Sequence, residues 1–248
     1  MMSLHGKPLL YRIYERVIAA KHSGTVVIAT TESSADEPIV ELCQKENIPF
    51  FRGHPTDLLD RHYQVAKLFN AEAVVKIPSD CPLIDPHVID KVLLHYCNNK
   101  EYFDFVSNLH PCTYPDGNDV EVFSMTALEK AWREASKDYE REHTTPYFWE
   151  NDHLFRIGNV YWESGLDYSM THRWTIDYEE DYLFIKTVYD KLYSPTHPFS
   201  LNDILILVEN DPAIKAINNK YNGVNWYRHH IDELKTINES QTRRLDNE

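Results

Sequence analysis

Apolar residues Leu9, Leu10, Ile13, Val17 and Ile18 recur at the three- and four-residue spacing of a helix face, and Pro8 stands where a first turn tolerates it. This spacing predicts a helix over 8–20. The next run, Thr25-Val26-Val27-Ile28-Ala29-Thr30, is β-branched and almost unbroken in apolarity, as suits a strand covered on both faces of a parallel sheet. The alternation continues with a helix over 37–45, a strand over 49–52, a helix over 57–69, a strand over 73–77 and a helix over 86–98. Strands alternating with helices of this length imply right-handed crossovers. The expected class is α/β, a mostly parallel central sheet flanked by helices, whose ligands gather at the carboxyl ends of the strands.

Past residue 98 the pattern changes. Short strands are expected over 104–107 and 119–123, around the turn Tyr114-Pro115-Asp116-Gly117-Asn118. Helices follow over 125–136 and 140–150, strands over 155–161 and 174–177, and helices over 178–192 and beyond 202. No repeat, low-complexity tract or linker interrupts the chain. The expectation is one domain over 1–238 with an α+β extension in its second half, then a polar tail over 239–248.

Composition narrows the functions. With 42% apolar residues, 248 positions supply a proper core, and a formal charge of -14 argues against nonspecific binding to nucleic acid or an anionic membrane. The four cysteines contain no CxxC pair, so neither a zinc knuckle nor a disulfide framework is suggested. No secretory leader or long apolar span is seen, and the expectation is a soluble protein of the reducing cytoplasm. The histidines are mostly isolated and show no HxxxH metal-binding face.

Chemistry is first suggested at Lys76-Ile77-Pro78-Ser79-Asp80-Cys81-Pro82, where an apolar strand stops and prolines fix an acid at the sheet's carboxyl edge. Asp177 similarly ends Arg173-Trp174-Thr175-Ile176. Either acid alone could be a helix cap. Brought together, two carboxylates about 4 Å apart would repel by roughly 4 kcal/mol at an effective dielectric of 20, a penalty that a divalent cation removes. Magnesium takes few hard oxygen ligands and leaves room for substrate phosphates, so Asp80 and Asp177 are its candidate ligands. Arg141-Glu142-His143-Thr144-Thr145 can offer a guanidinium fork toward a carboxylate or phosphate, or can be a solvated helix face. Asp116, Asn118 and Asp119 in the turn, with Glu121 after it, can meet sugar hydroxyls, although turns favour such residues anyway. The five tryptophans are expected in packing rather than as stacking platforms.

Five ordered stretches together resemble the spore coat polysaccharide cytidylyltransferases, relatives of the acylneuraminate and ketodeoxyoctonate cytidylyltransferases. They are Phe51-Arg52-Gly53 with Asp57-Leu58-Leu59-Asp60-Arg61, Ser79-Asp80-Cys81-Pro82-Leu83-Ile84-Asp85, Tyr114-Pro115-Asp116-Gly117-Asn118-Asp119-Val120-Glu121, Arg141-Glu142-His143-Thr144-Thr145-Pro146-Tyr147 and Arg173-Trp174-Thr175-Ile176-Asp177. The resemblance implies a nucleotide-diphospho-sugar transferase fold and transfer of CMP from CTP to a sugar acceptor, with Mg2+ as cofactor. It puts Asp80 and Asp177 on the metal, Arg61 and Ser79 near the nucleotide, and Asp116, Asn118, Glu121, Arg141, Glu142 and His143 near the acceptor. A homodimer formed through the second-half extension is a further implication.

The chain departs from the family in one respect: Gly6-Lys7-Pro8 aligns just after the family's first strand and phosphate-cradling loop. The expectation is therefore a true start lying upstream, with lost catalytic capacity as the alternative. Two further readings stay open. A glycosyltransferase of the same general fold would carry a DxD motif, which Asp80, with Pro82 two places on, does not meet. A catalytically silent sugar- or nucleotide-binding subunit is the other.

Overall fold

The computed structural model describes residues 2–245. After a small antiparallel turn of β1 (Ser3–Leu4) and β2 (Lys7–Pro8), the helix α1 (Leu9–Ile18) leads to β3 (Ile28–Thr31), α2 (Glu37–Glu46) and β4 (Phe50–Gly53). Next come α3 (Leu58–Leu68), β5 (Ala73–Lys76), α4 (Pro86–Asn98), β6 (Phe105–Ser107) and β7 (Glu121–Ser124). The second half adds α5 (Met125–Glu134), α6 (Asp138–His143), α7 (Pro146–Trp149) and β8 (Ile157–Asn159). It ends with α8 (Glu179–Leu192), α9 (Leu201–Asn210) and α10 (Pro212–Ala216).

The helices expected in the first half form where apolar spacing placed them, but the sheet is mixed rather than mostly parallel. β3 pairs with β4 in parallel, whereas β5 and β6 both run antiparallel to β7 and β6 runs parallel to β8, giving the order β5-β7-β6-β8. Alternation along β6 and β7 divides the core between two faces. Val106 and Val122 join the layer of α1, α4, α8 and α9, while Phe105 and Phe123 join α3, α5 and α7.

Two expectations are corrected here. The helix expected over 140–150 is broken into α6 and α7, because Thr144 takes a left-handed φ of 71° and Pro146 restarts the chain. The strand expected over 174–177 forms no ladder. Its backbone instead bridges to loops: Trp174 N–H donates to Asp116 O and Ile176 N–H to Asp80 O. The run is extended and apolar, but it serves as a strap between two loops.

Among the described residues β3 has only β4 as a neighbour and β5 only β7, so each keeps one free edge. A cavity of about 1030 Å³ is lined by consecutive residues of both segments, 23–30 and 73–80. Consecutive lining means that the strands face it with their backbone edges, since side chains on one face would line it at every second residue. Ile13 and Val17 of α1 close one side of this slot, and Leu58, Val65 and Phe69 from α3 and its end close the other. At its carboxyl end the slot widens into the polar space described next.

Candidate active site

Proline geometry and two substitute caps put Asp80 and Asp177 at one rim. Asp85, not Asp80, caps α4: its Oδ1 accepts from His87 N–H and its Oδ2 from Leu201 N–H. Asp181, not Asp177, serves the start of α8 by accepting from the N–H groups of Asp177 and Tyr178. The helix-cap alternative for both candidate acids is thereby removed. The strap fastens them to each other's loops, Thr175 Oγ1 and Ile176 N–H both donating to Asp80 O at 3.0 Å. Both acids border the cavity, and burial followed by the charge of Asp177 raises the pKa of Asp80.

The turn ahead of β7 adds two more acids. Gly117 has a φ of 104°, and a Cβ there would lie 2.7 Å from the Trp174 carbonyl carbon, so only glycine lets the turn and the strap approach this closely. Asp116 and Asp119 are thereby turned into the cavity. Burial is the first cause of their raised pKa values. Asp119 adds to it for Asp116, and Asp80 adds to it for Asp119, which is pushed up to about 7. Glu121 is fully buried and takes Lys76 Nζ at 2.6 Å. The cations near these acids are engaged: Lys76 by Glu121, and Arg173 by Asp177 at 2.5 Å and Asp181 at 2.9 Å.

The predicted residues do not all meet. Asp80, Asp177, Ser79, Arg61, Asp116, Glu121 and His143 border the cavity. Arg61 is held near Gly53, where a Cβ would come within 2.7 Å of its Cγ. Asn118, Arg141 and Glu142 lie outside the lining. Asn118 is a buried brace, accepting from Asp85 N–H and donating to Pro115 O. Arg141 spends its fork on Asp57 Oδ2 and on Trp132 O, tying α6 to the start of α3. Glu142 is exposed. A polar residue reads alike in sequence whether it faces a ligand or its own scaffold, so its placement had to come from the structure.

The lining also holds residues that the sequence reading missed. Asp119, read from the sequence only as part of the turn, alternates with Glu121 around Val120 and Val122, and that period-two pattern is the signal that sets it on the cavity face. Trp149 and Trp226 border the cavity too, so two tryptophans expected only to pack do more. His110 lies on Trp149 with ring centroids 4.4 Å apart, and His143 stacks on Trp226 at 3.9 Å. Burial lowers both imidazoles, His110 to about 3 and His143 to about 4, so both are neutral at pH 7.

Among the described residues no three His, Cys, Asp or Glu side chains converge as a metal cage. Asp80 and Asp177, both bordering the cavity, are hard carboxylate donors of the kind magnesium takes, not the thiolate and imidazole set of a zinc site. No helix of the described residues is long and apolar enough to cross a membrane.

Comparison with known proteins identifies the family and the fold. The chain is 33% identical over 223 residues to an uncharacterised protein of Methanocaldococcus jannaschii, spanning 88% of this chain and 86% of that one. It is 25% identical over 206 residues to the spore coat polysaccharide biosynthesis protein SpsF of Bacillus subtilis, 82% of each. A solved cytidylyltransferase from Leptospira borgpetersenii serovar Hardjo-bovis superposes with a TM-score of 0.80 at 30% identity, covering 86% of this chain and 87% of that one. The family model described as cytidylyltransferase matches residues 1–206, and the chain belongs to the cytidylyltransferase family.

Proposed function

We propose that this nucleotidyltransferase moves CMP from CTP to a hydroxyl of a sugar acid or related sugar, releasing pyrophosphate, in cytoplasmic synthesis of activated sugars for surface polysaccharide. The observation that carries this reading is the meeting of Asp80 and Asp177 at one rim of a large cavity, with neither acid spent on a helix end. Family membership supports the nucleotide, and similarity to the spore coat protein supports the polysaccharide setting.

In such a transfer the acceptor oxygen bonds to the α-phosphorus while the bond from that phosphorus to the pyrophosphate oxygen breaks. The protein's contribution is positioning and charge stabilisation. Asp80 and Asp177 would hold a magnesium ion, which when bound supplies positive charge to the triphosphate and the departing pyrophosphate. His110 and His143, being neutral, offer hydrogen bonds without competing for phosphate charge. Trp149 and Trp226 offer flat apolar faces to a sugar ring.

The slot bears on the same reading. Two free strand edges with apolar side chains above and below suit one extended strand running beside both. We take the slot as the place of the additional first strand and phosphate-cradling loop that the resemblance implies.

Thermal unfolding tests the site directly. CTP with magnesium should stabilise the protein more than CTP alone, and UDP-glucose should give no metal-linked gain. Asp80→Ala and Asp177→Ala should each abolish the metal-linked gain while unfolding stays cooperative. Full retention of that gain in both variants would remove the metal assignment.

A further inference from the structure

Resting on the reading of Asp80 and Asp177 as a cation site, we propose that Arg173 is the positioning residue that fixes how Asp177 meets the ion. Its side chain is buried, and its three nitrogens are all engaged. Nε donates to Asp181 Oδ1 at 3.0 Å, Nη2 to Asp181 Oδ2 at 2.9 Å and to Asp177 Oδ2 at 2.5 Å, and Nη1 to Val224 O at 2.5 Å. Nη1 also lies 3.8 Å from Asp116 Oδ2. One guanidinium thus reaches two acids that border the cavity and one that is wholly buried.

Asp177 needs such a hold. Its side chain is 54% exposed, and its backbone belongs to a strap without a strand ladder, so little else limits its rotamers. Arg173 occupies Oδ2 and leaves Oδ1 for a cation, which makes Asp177 a single-oxygen ligand aimed in advance.

A bare guanidinium beside a cation site would repel the ion. Asp181 answers that charge, and it is itself fastened by Asn218 Nδ2 at 2.9 Å, so the buried pair adds direction to the rim with little net charge. Arg173 also carries the rim's geometry to α8 through Asp181 and to the segment after α10 through Val224.

A rival account makes Arg173 and Asp181 a structural ion pair with no bearing on the metal. Arg173→Gln alone would leave Asp181 charged and unpaired, so the informative variant is Arg173→Gln with Asp181→Asn, which removes both charges and leaves the net charge unchanged. Manganese titrated in the presence of CTP and followed by electron paramagnetic resonance reads affinity separately from turnover. The double variant should bind manganese at least about tenfold more weakly, the lower end of the loss typical when an outer-shell partner is removed. CTP binding without metal should be unchanged.

Arg173→Lys keeps the charge and leaves Asp181 paired, but one ammonium cannot span the same acids as a planar fork, so it should show the same direction of change. It carries the test if the double variant does not fold cooperatively. Unchanged manganese affinity in a folded variant, with or without a lower melting temperature, overturns the role of Arg173. A wild-type protein that binds no manganese with CTP overturns the cation site itself, and this proposal with it.

Discussion

On one side of β5 the sheet is finished and on the other it is not. Toward β7 and β6 each strand is paired on both edges, and the rings of Phe105, Phe123 and Phe148 stack over the strands at centroid distances of 5.1 Å and 5.3 Å from Phe148. Toward β3, residues of similar apolar character line a slot and, among the described residues, meet no strand. The difference teaches that hydrophobic pattern specifies a strand's faces and is silent about its edges. A β-branched run announces that both faces will be covered. Nothing in its side chains says whether the backbone beside it has a partner.

The largest expected effect follows from that contrast. Phe148→Ala, at a fully buried ring of the finished side, should lower the free energy of unfolding by about 3–5 kcal/mol. Val75→Ala on half-buried β5, bordering the slot, should cost about 1 kcal/mol or less. Urea unfolding of both variants measures this directly. Equal losses would mean that the slot is filled as tightly as the aromatic side, and the comparison would fail.

The same division governs what could be read in advance. The helix expected over 86–98 is α4 to the residue, because Asp85, Pro86 and the apolar spacing agree on one start. Asp80 was legible because prolines fix it at the end of an apolar run. Asp177 was legible for a partly wrong reason: its segment is apolar and extended like a strand, but its hydrogen bonds go to loop carbonyls 116 and 80. The part of Arg173 is not legible in the sequence, since its partners Asp177 and Asp181 are set by a change of direction between strap and helix. The bracing partners of Asn118 and Arg141 were not legible, because a residue that braces a site and one that touches a ligand have the same chemistry; only burial and partners separate them.

A smaller effect concerns the acids where the two regions meet. Burial, then the charges of Asp80 and Glu121, raise Asp119 to about 7, so the folded protein holds this proton to a higher pH than the unfolded chain does. Stability from this group is present in acid and is lost as pH rises from about 4 through about 7. The buried neutral imidazoles of His110 and His143 work in the opposite direction below pH 6.5, so the difference between variant and wild type is the useful quantity. Asp119→Asn should be more stable than wild type at pH 8 by about 1 kcal/mol, or roughly 2–4 °C in melting temperature. The gain should vanish at pH 5. An equal gain at both pH values would show that Asp119 is ionised throughout.

The smallest effect leaves global stability alone and concerns single amides. Ile28 N–H donates to Pro49 O across to β4, and in a parallel ladder successive amides point to opposite sides. The amide of Ala29 therefore points toward the slot. Without a strand there, Ala29 should exchange its amide hydrogen roughly tenfold or more faster than Thr30, whose amide faces β4, because only local opening separates it from water. Phe105 and Val122, inside the finished part, should exchange no faster than Thr30. An added apolar strand that seats in the slot should slow Ala29 to the rate of its neighbour and leave Val122 unmoved. Slow exchange at Ala29 in the chain alone would mean that the edge is already covered, and the slot would lose its meaning as a place for a strand.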